Sequence, residues 1–355
     1  MLFHYEYVST RLEKIEEWLS HLVKEVWCKP TKSFYLRRLL PEFQQVVRET
    51  VKSSRGTDYL FGPIHSIHNI CRDKLTEADR TKLASYFDQN IDILALCCNQ
   101  KGSIPATYDD IKLLNPDLAK HLYEFCVNLW SEVRKRKAVT DRLGTLSEYF
   151  REFSDKNRKR ICPFCGISRL DGVFSSIQED FDHYLPKGKY PFNSISTRNL
   201  APICDKCNKK YKLQQDPIHN EQGGRRKAFY SYSKKDPRIQ LKIKLTSIDG
   251  QPIDARNLQP GNIQLHLTST THQTEIESWK EIFHIEARYK AICCEEETAG
   301  YYWLQQVLGE MREAGKSPEE ALTAIKRAAI SKWADLNFLK IPFLDACHDS
   351  GLVRQ

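Results

Sequence analysis

Two Cys-x-x-Cys pairs, Cys162/Cys165 and Cys204/Cys207, stand apart among the twelve cysteines of this 355-residue chain. Thiolates are soft ligands, and two such pairs supply the four sulfurs that a tetrahedral ion takes at roughly 2.3 Å. The first pair, Cys162-Pro163-Phe164-Cys165-Gly166, reads as a tight knuckle, because Pro and Gly shape a turn that aims both thiolates at one point. The second, Cys204-Asp205-Lys206-Cys207-Asn208, follows after 38 residues and lacks Pro and Gly. All four positions of such a site are filled by protein, so the expected ion is a structural zinc, with a rubredoxin-like iron as the competitor. Cys28, Cys71, Cys97, Cys98, Cys126, Cys293, Cys294 and Cys347 sit in helix-like apolar surroundings and read as core thiols.

Between and just beyond the two pairs lie Phe181-Asp182-His183-Tyr184-Leu185-Pro186-Lys187, then Arg198-Asn199-Leu200-Ala201-Pro202-Ile203, and Asn208 directly after the fourth cysteine. Histidine exchanges protons near neutrality, which suits it to activating a water. An Asp-His pair by itself is most often an ordinary surface or core pair, and Asn199 and Asn208 alone read as a turn residue and a helix cap. Basic residues crowd this stretch: Lys187, Lys189, Lys209, Lys210 and Lys212, flanked by Arg158, Lys159, Arg160, Arg225 and Arg226. With a net charge of +8, that density suits contact with nucleic-acid phosphates and carries no sequence specificity. A solvated mixed-charge surface is the bland alternative. Tyr184, Tyr190 and Tyr211 either stack on bases or fill a small core.

At roughly 150 residues per domain, the length calls for two or three units. Residues 1–150 read as a helical region. Leu12, Ile15, Trp18, Leu19, Leu22, Val23 and Val26 recur at helical spacing behind a Thr10 cap. Thr76-x-x-Asp79 opens another helix through Leu83, Phe87, Ile91 and Leu94, and Leu118 to Val133 repeats the pattern, with loops at 53–63 and 102–105. Residues 151–235 form the unit that carries the cysteines. In 236–355, Ile239, Leu241, Ile243 and Leu245 alternate with polar residues, as do Ile263, Leu265 and Leu267, predicting a strand pair that leaves His266 on the polar face. Helices then span Glu275 to Glu310, with a break near Gly300. Ser317-Pro318-Glu319-Glu320 caps a last one that is expected to reach Phe338 with Leu322, Ile325 and Ile330 as core.

No run approaches the roughly 18 apolar residues of a membrane helix. The first residues lack the pattern of a signal peptide, so the expectation is a cytoplasmic protein with reduced thiols. Neither a Walker-type G-x-x-x-x-G-K-[ST] nor a G-x-G-x-x-G occurs, so any ATP dependence has to come from another chain.

Taken together, the Asp-His, Asn-Leu and Cys-x-x-Cys-Asn strings between two knuckles make about 50 residues of the chain resemble the HNH (ββα-metal) endonucleases in their zinc-stapled form. The finer pattern is most similar to the PtuB-type nuclease subunits of bacterial Septu anti-phage systems. The resemblance implies an α+β fold: a mainly helical protein with an embedded ββα-metal unit stapled by a four-cysteine zinc site, plus a short antiparallel strand pair. It implies hydrolysis of DNA phosphodiesters, with His183 as general base and Asp182 and Asn208 as ligands of a catalytic Mg2+ or Mn2+. Asn199 would hold the His183 backbone or ring, and an ATPase partner would control the nuclease. The family often carries a Lys three residues after the position of Asn208, where this chain has Tyr211. His219 is the runner-up for the third motif position. The alternatives are a stand-alone restriction or homing-type nuclease, which would read DNA with a helix among Leu118 to Lys137, and a non-catalytic zinc module that scaffolds a complex.

Overall fold

The computed structural model describes residues 1–53, 57–172, 174–175 and 180–354; residues 54–56 of the expected 53–63 loop lie outside them. The chain is mainly helical, with two separate two-stranded antiparallel sheets among the described residues. Helix starts follow the side-chain chemistry. Thr10, Thr76, Thr107, Thr145 and Ser317 each close a capping box with the acid three positions on. Asn115 caps Pro116–Ser131 with Pro116 at its first position. The stripe predicted over Leu12 to Val26 is a composite: a 3-10 turn, the helix Lys14–His21 and a π-helical stretch Leu22–Trp27. Its apolar residues pack inward, with Trp18 stacked on Phe43 and Trp27 edge-on to Phe125.

Several boundaries differ from the pattern. The helix Glu77–Ile91 stops because Asp92 turns its carboxylate to the Ala95 amide and starts a new helix, Ile93–Cys97, which leaves Leu94 exposed. The long C-terminal run breaks twice, into Gln273–Ile282, Ile285–Cys293 and Gly300–Ala314. A Cβ on Gly300 would lie 2.1 Å from the Cys293 carbonyl oxygen, so only glycine fits that second corner. The helix from Pro318 ends at Ala328, not near Phe338, and Ile330, expected in the core, is 94% exposed. Among the eight remaining cysteines, Cys98 is exposed and Cys28 and Cys294 are half-buried, while the other five are core thiols.

Strands β1 (Phe181–His183) and β2 (Leu200–Pro202) pair antiparallel with His183 opposite Leu200, and a helical stretch follows from Cys207 to Lys212. Strands β3 (Gln240–Leu245) and β4 (Ile263–Thr268) form the predicted pair, with His266 exposed, and the helix Asn337–Asp349 lies against β3. One contiguous apolar core runs through all three regions of the chain. The first residues help to weld it: the Leu2 amide donates to the Pro163 carbonyl at 2.8 Å, and the Tyr5 hydroxyl donates to Pro202.

Candidate functional site

Cys162, Cys165, Cys204 and Cys207 converge. All four are buried and their sulfurs lie within 4.8 Å of one another, a cluster able to hold a metal ion such as zinc. The first knuckle is shaped as its residues predict. The Gly166 amide donates to the Cys162 carbonyl at 2.7 Å, and Gly166 takes φ +71° under Leu2 and Phe338, where a Cβ would clash at 2.3 Å. The Ile167 amide points at the Cys165 sulfur at 3.4 Å. Sequence reasoning missed the outer support, which comes from Gln273–Ile282 and Ile285–Cys293. Trp279 Nε1 donates to the Phe164 carbonyl at 2.7 Å, the Tyr289 hydroxyl donates to the Cys165 carbonyl at 2.8 Å, and Arg288 Nη1 lies 3.2 Å from the Cys207 sulfur. Burial alone would lower the Arg288 pKa, but the negative charge of Cys165 and Cys207 as thiolates outweighs burial and raises it. Nothing in its local sequence marks this arginine, because the contact joins residues 81 apart.

Beside the cluster, a cavity of about 510 Å³ is lined by Asp182, His183, Lys187 and Asn208, and also by Trp130 and Arg134 from the N-terminal helices. His183 Nε2 lies 2.8 Å from the Ser194 carbonyl. A carbonyl only accepts, so the neutral ring carries its proton on Nε2 and leaves Nδ1 as the proton acceptor. Burial, with the Lys187 charge adding to it, pushes the imidazole pKa down to about 3, so the ring is neutral near pH 7. The Trp130 indole packs near-perpendicular to the imidazole on another side, with ring centroids 4.5 Å apart.

The Asn199 side chain makes no hydrogen bond to His183. Its amide clamps the adjoining loop instead: Oδ1 accepts from the Leu185 amide at 2.8 Å, and Nδ2 donates to the carbonyls of Leu185 and Asn193. The orienting role expected of Asn199 thus falls on the backbone beyond β1, while Ser194 holds the ring.

The expected lysines separate. Lys212 is not on the surface: it is 1% exposed, with Nζ at 3.1 and 3.0 Å from the two oxygens of Asp182 and 3.0 Å from the His183 carbonyl. A π-helical bond from the Leu213 amide to the Asn208 carbonyl widens this turn and carries Lys212 inward, while the Tyr211 ring faces the Arg288 guanidinium and the His284 ring. Lys189 pairs with Asp216 at 2.6 Å, and Lys209 reaches Asp205 and Asp180. Lys210 is exposed, and Lys187 faces the cavity. His219 joins Asp216 and Tyr190 in a separate network, and the cavity lining does not include it. Tyr184 and Tyr190 are buried and fill the core.

Oxygen donors are what a magnesium or manganese ion takes, and the Asp182 carboxylate and Asn208 carboxamide both line the cavity, with room left for water and phosphate oxygens. These two residues are the ones that could offer oxygens to such an ion, and the Lys212 ammonium shares the Asp182 carboxylate. In comparison with known proteins, no family model, no curated protein and no solved structure matches the chain.

Proposed function

We propose that the chain is a metal-dependent HNH-type endonuclease that hydrolyses DNA phosphodiesters. The observation that carries this reading is the meeting of a neutral His183 with Asp182 and Asn208 on one cavity, beside a four-cysteine cluster. In this reading, His183 Nδ1 takes the proton of the attacking water while Ser194 holds the imidazole from behind. Asn199 keeps the loop after β1 in place, and Asp182 and Asn208 would hold a divalent cation. When bound, that cation stabilises the charge on the leaving oxygen. The four cysteines would bind zinc and staple the unit, replacing the apolar core that its short strands cannot supply.

The resemblance of the motif segment to Septu nuclease subunits extends the proposal to the effector of an anti-phage system controlled by an ATPase partner. The missing nucleotide-binding signature is consistent with ATP acting on another chain. The hold of Lys212 on Asp182 favours one other reading, a zinc module in which Asp182 is structural.

Nuclease assays on His183→Ala separate the two. The expected result is lost cleavage with DNA binding and fold retained, and unchanged cleavage rules out the base. Mild EDTA is expected to stop cleavage before zinc leaves the thiolates. Unfolding before loss of cleavage would contradict two distinct metal sites.

A further inference from the structure

Trp130 lies in the last turn of the helix Pro116–Ser131, and three groups meet its indole: the Arg134 guanidinium with Cζ 4.5 Å from a ring centroid, the Lys187 ammonium at 5.6 Å, and the near-perpendicular ring of His183. Arg134 Nε donates to the Trp130 carbonyl at 3.1 Å. That bond caps the helix, fixes the plane of the guanidinium and leaves its two terminal nitrogens uncommitted to the cap. Neither cation forms an ion pair among the described residues, because the acids of the cavity are held elsewhere, Asp182 by Lys212 and Asp180 by Lys209 at 3.2 Å. Two like charges thus share one concave, partly buried wall without a counter-ion among the described residues. Burial lowers the pKa of both, and the Arg134 charge lowers that of Lys187 further. Such an arrangement is unfavourable until an anion enters.

We infer that Arg134 and Lys187 seat one phosphate of the nucleic-acid backbone beside His183, with Arg134 contacting a non-bridging oxygen of the group that is cleaved. The inference rests on the proposed nuclease activity and names the residues that would grip its substrate. A planar guanidinium fork matches two phosphate oxygens, and the ammonium adds a point charge. Because the imidazole and the guanidinium each lie 4.5 Å from the same indole, they are at most about 9 Å apart, a span that a phosphate and its attacking water fill. Trp130 is the rigid spacer that sets this distance. Its cation contacts make it a post for charge and not a platform for a base. The helical N-terminal region therefore completes the site, contributing from 49 residues upstream of His183.

The test pairs two probes on the full chain: inorganic phosphate, read by thermal shift, and single-turnover cleavage of a DNA oligonucleotide. Phosphate is expected to raise the Tm of the wild type but not of Arg134→Ala. That variant should cleave roughly 100-fold slower or worse, the loss typical of one preorganised charge contact. Arg134→Lys should recover part of the rate, and Lys187→Ala should raise KM and flatten the salt dependence. Lys137→Ala, in the same basic run but 87% exposed and paired with Asp141, serves as the control and should match the wild type. If Arg134→Ala fails to fold, Arg134→Lys and Lys187→Ala carry the test. Cleavage that is lost in His183→Ala but unchanged in Arg134→Ala and Lys187→Ala overturns the seat alone. Phosphate protection that depends on Arg134, in a wild type that cleaves nothing, upholds the seat as an anion site and overturns the nuclease reading.

Discussion

The Lys212 ammonium lies within 3.1 Å of both carboxylate oxygens of Asp182, and the two side chains are 1% and 6% exposed. Burial holds the Asp182 carboxyl above its ordinary range even though Lys212 pulls it down. The pair is thus a charged joint inside the site, tying the helical turn after the second knuckle to strand β1 through the additional bond to the His183 carbonyl.

Breaking that joint from one side strands a charge. Lys212→Met leaves Asp182 as an unpaired buried carboxylate, for which the expected loss is about 3–5 kcal/mol in denaturant unfolding. The double change Lys212→Met with Asp182→Leu should recover most of it, because the stranded carboxylate is gone. A loss under about 1 kcal/mol in the single variant would mean that Asp182 takes up a proton or water at little cost.

The four-cysteine cluster has a cation of its own at Arg288. Four thiolates around a divalent ion carry net negative charge, and the Arg288 guanidinium at 3.2 Å from the Cys207 sulfur offsets part of it. Arg288→Met keeps much of the aliphatic stem and removes the charged guanidinium, whose Cζ lies 4.3 Å from the centre of the Tyr211 ring. Zinc should then pass to a competing chelator with an affinity about 10-fold weaker than in the wild type, while the far-ultraviolet circular dichroism is retained. Equal zinc affinity in the two proteins would reduce Arg288 to packing.

The physical range of each signal decides what could be read from the residues. The four cysteines were legible because two short local patterns carry the whole ligand set. Capping boxes at Thr76 and Ser317, and the β3–β4 pair, were legible for the same reason: each depends on neighbours a few positions away. Lys212 was not, because a π-turn moved it to the inner face, and a widened turn leaves no mark in residue type. Trp130 sits within the helical pattern Leu118 to Val133 and Arg134 just beyond it, in the run Arg134-Lys135-Arg136-Lys137, and only tertiary packing brings them to His183. Ile330 shows the converse error, since apolar periodicity cannot mark where a helix stops.

A last expectation concerns acid stability and turns on His4. Its Nδ1 donates to the Lys235 carbonyl at 2.8 Å, and its ring packs on Phe229 and His272. Burial, aided by the nearby N-terminal charge and by His272, pushes its pKa down to about 3, against the bond to the Lys235 carbonyl and the Asp236 charge. In the unfolded chain the same ring titrates near 6.5. Between those values the unfolded state binds the extra proton, so the contribution of His4 is complete above pH of about 6.5 and is lost as pH falls toward about 3. His68, His183, His219 and His272 are also shifted downward and act with the same sign, so one substitution removes only a share of the slope. His4→Asn keeps a donor for Lys235 and cannot titrate. Its Tm should fall less than that of the wild type between pH 7 and pH 5, a window above most carboxylate titrations. Parallel Tm curves over that window would mean that His4 is already solvated when protonated, and that acid lability arises at the other histidines.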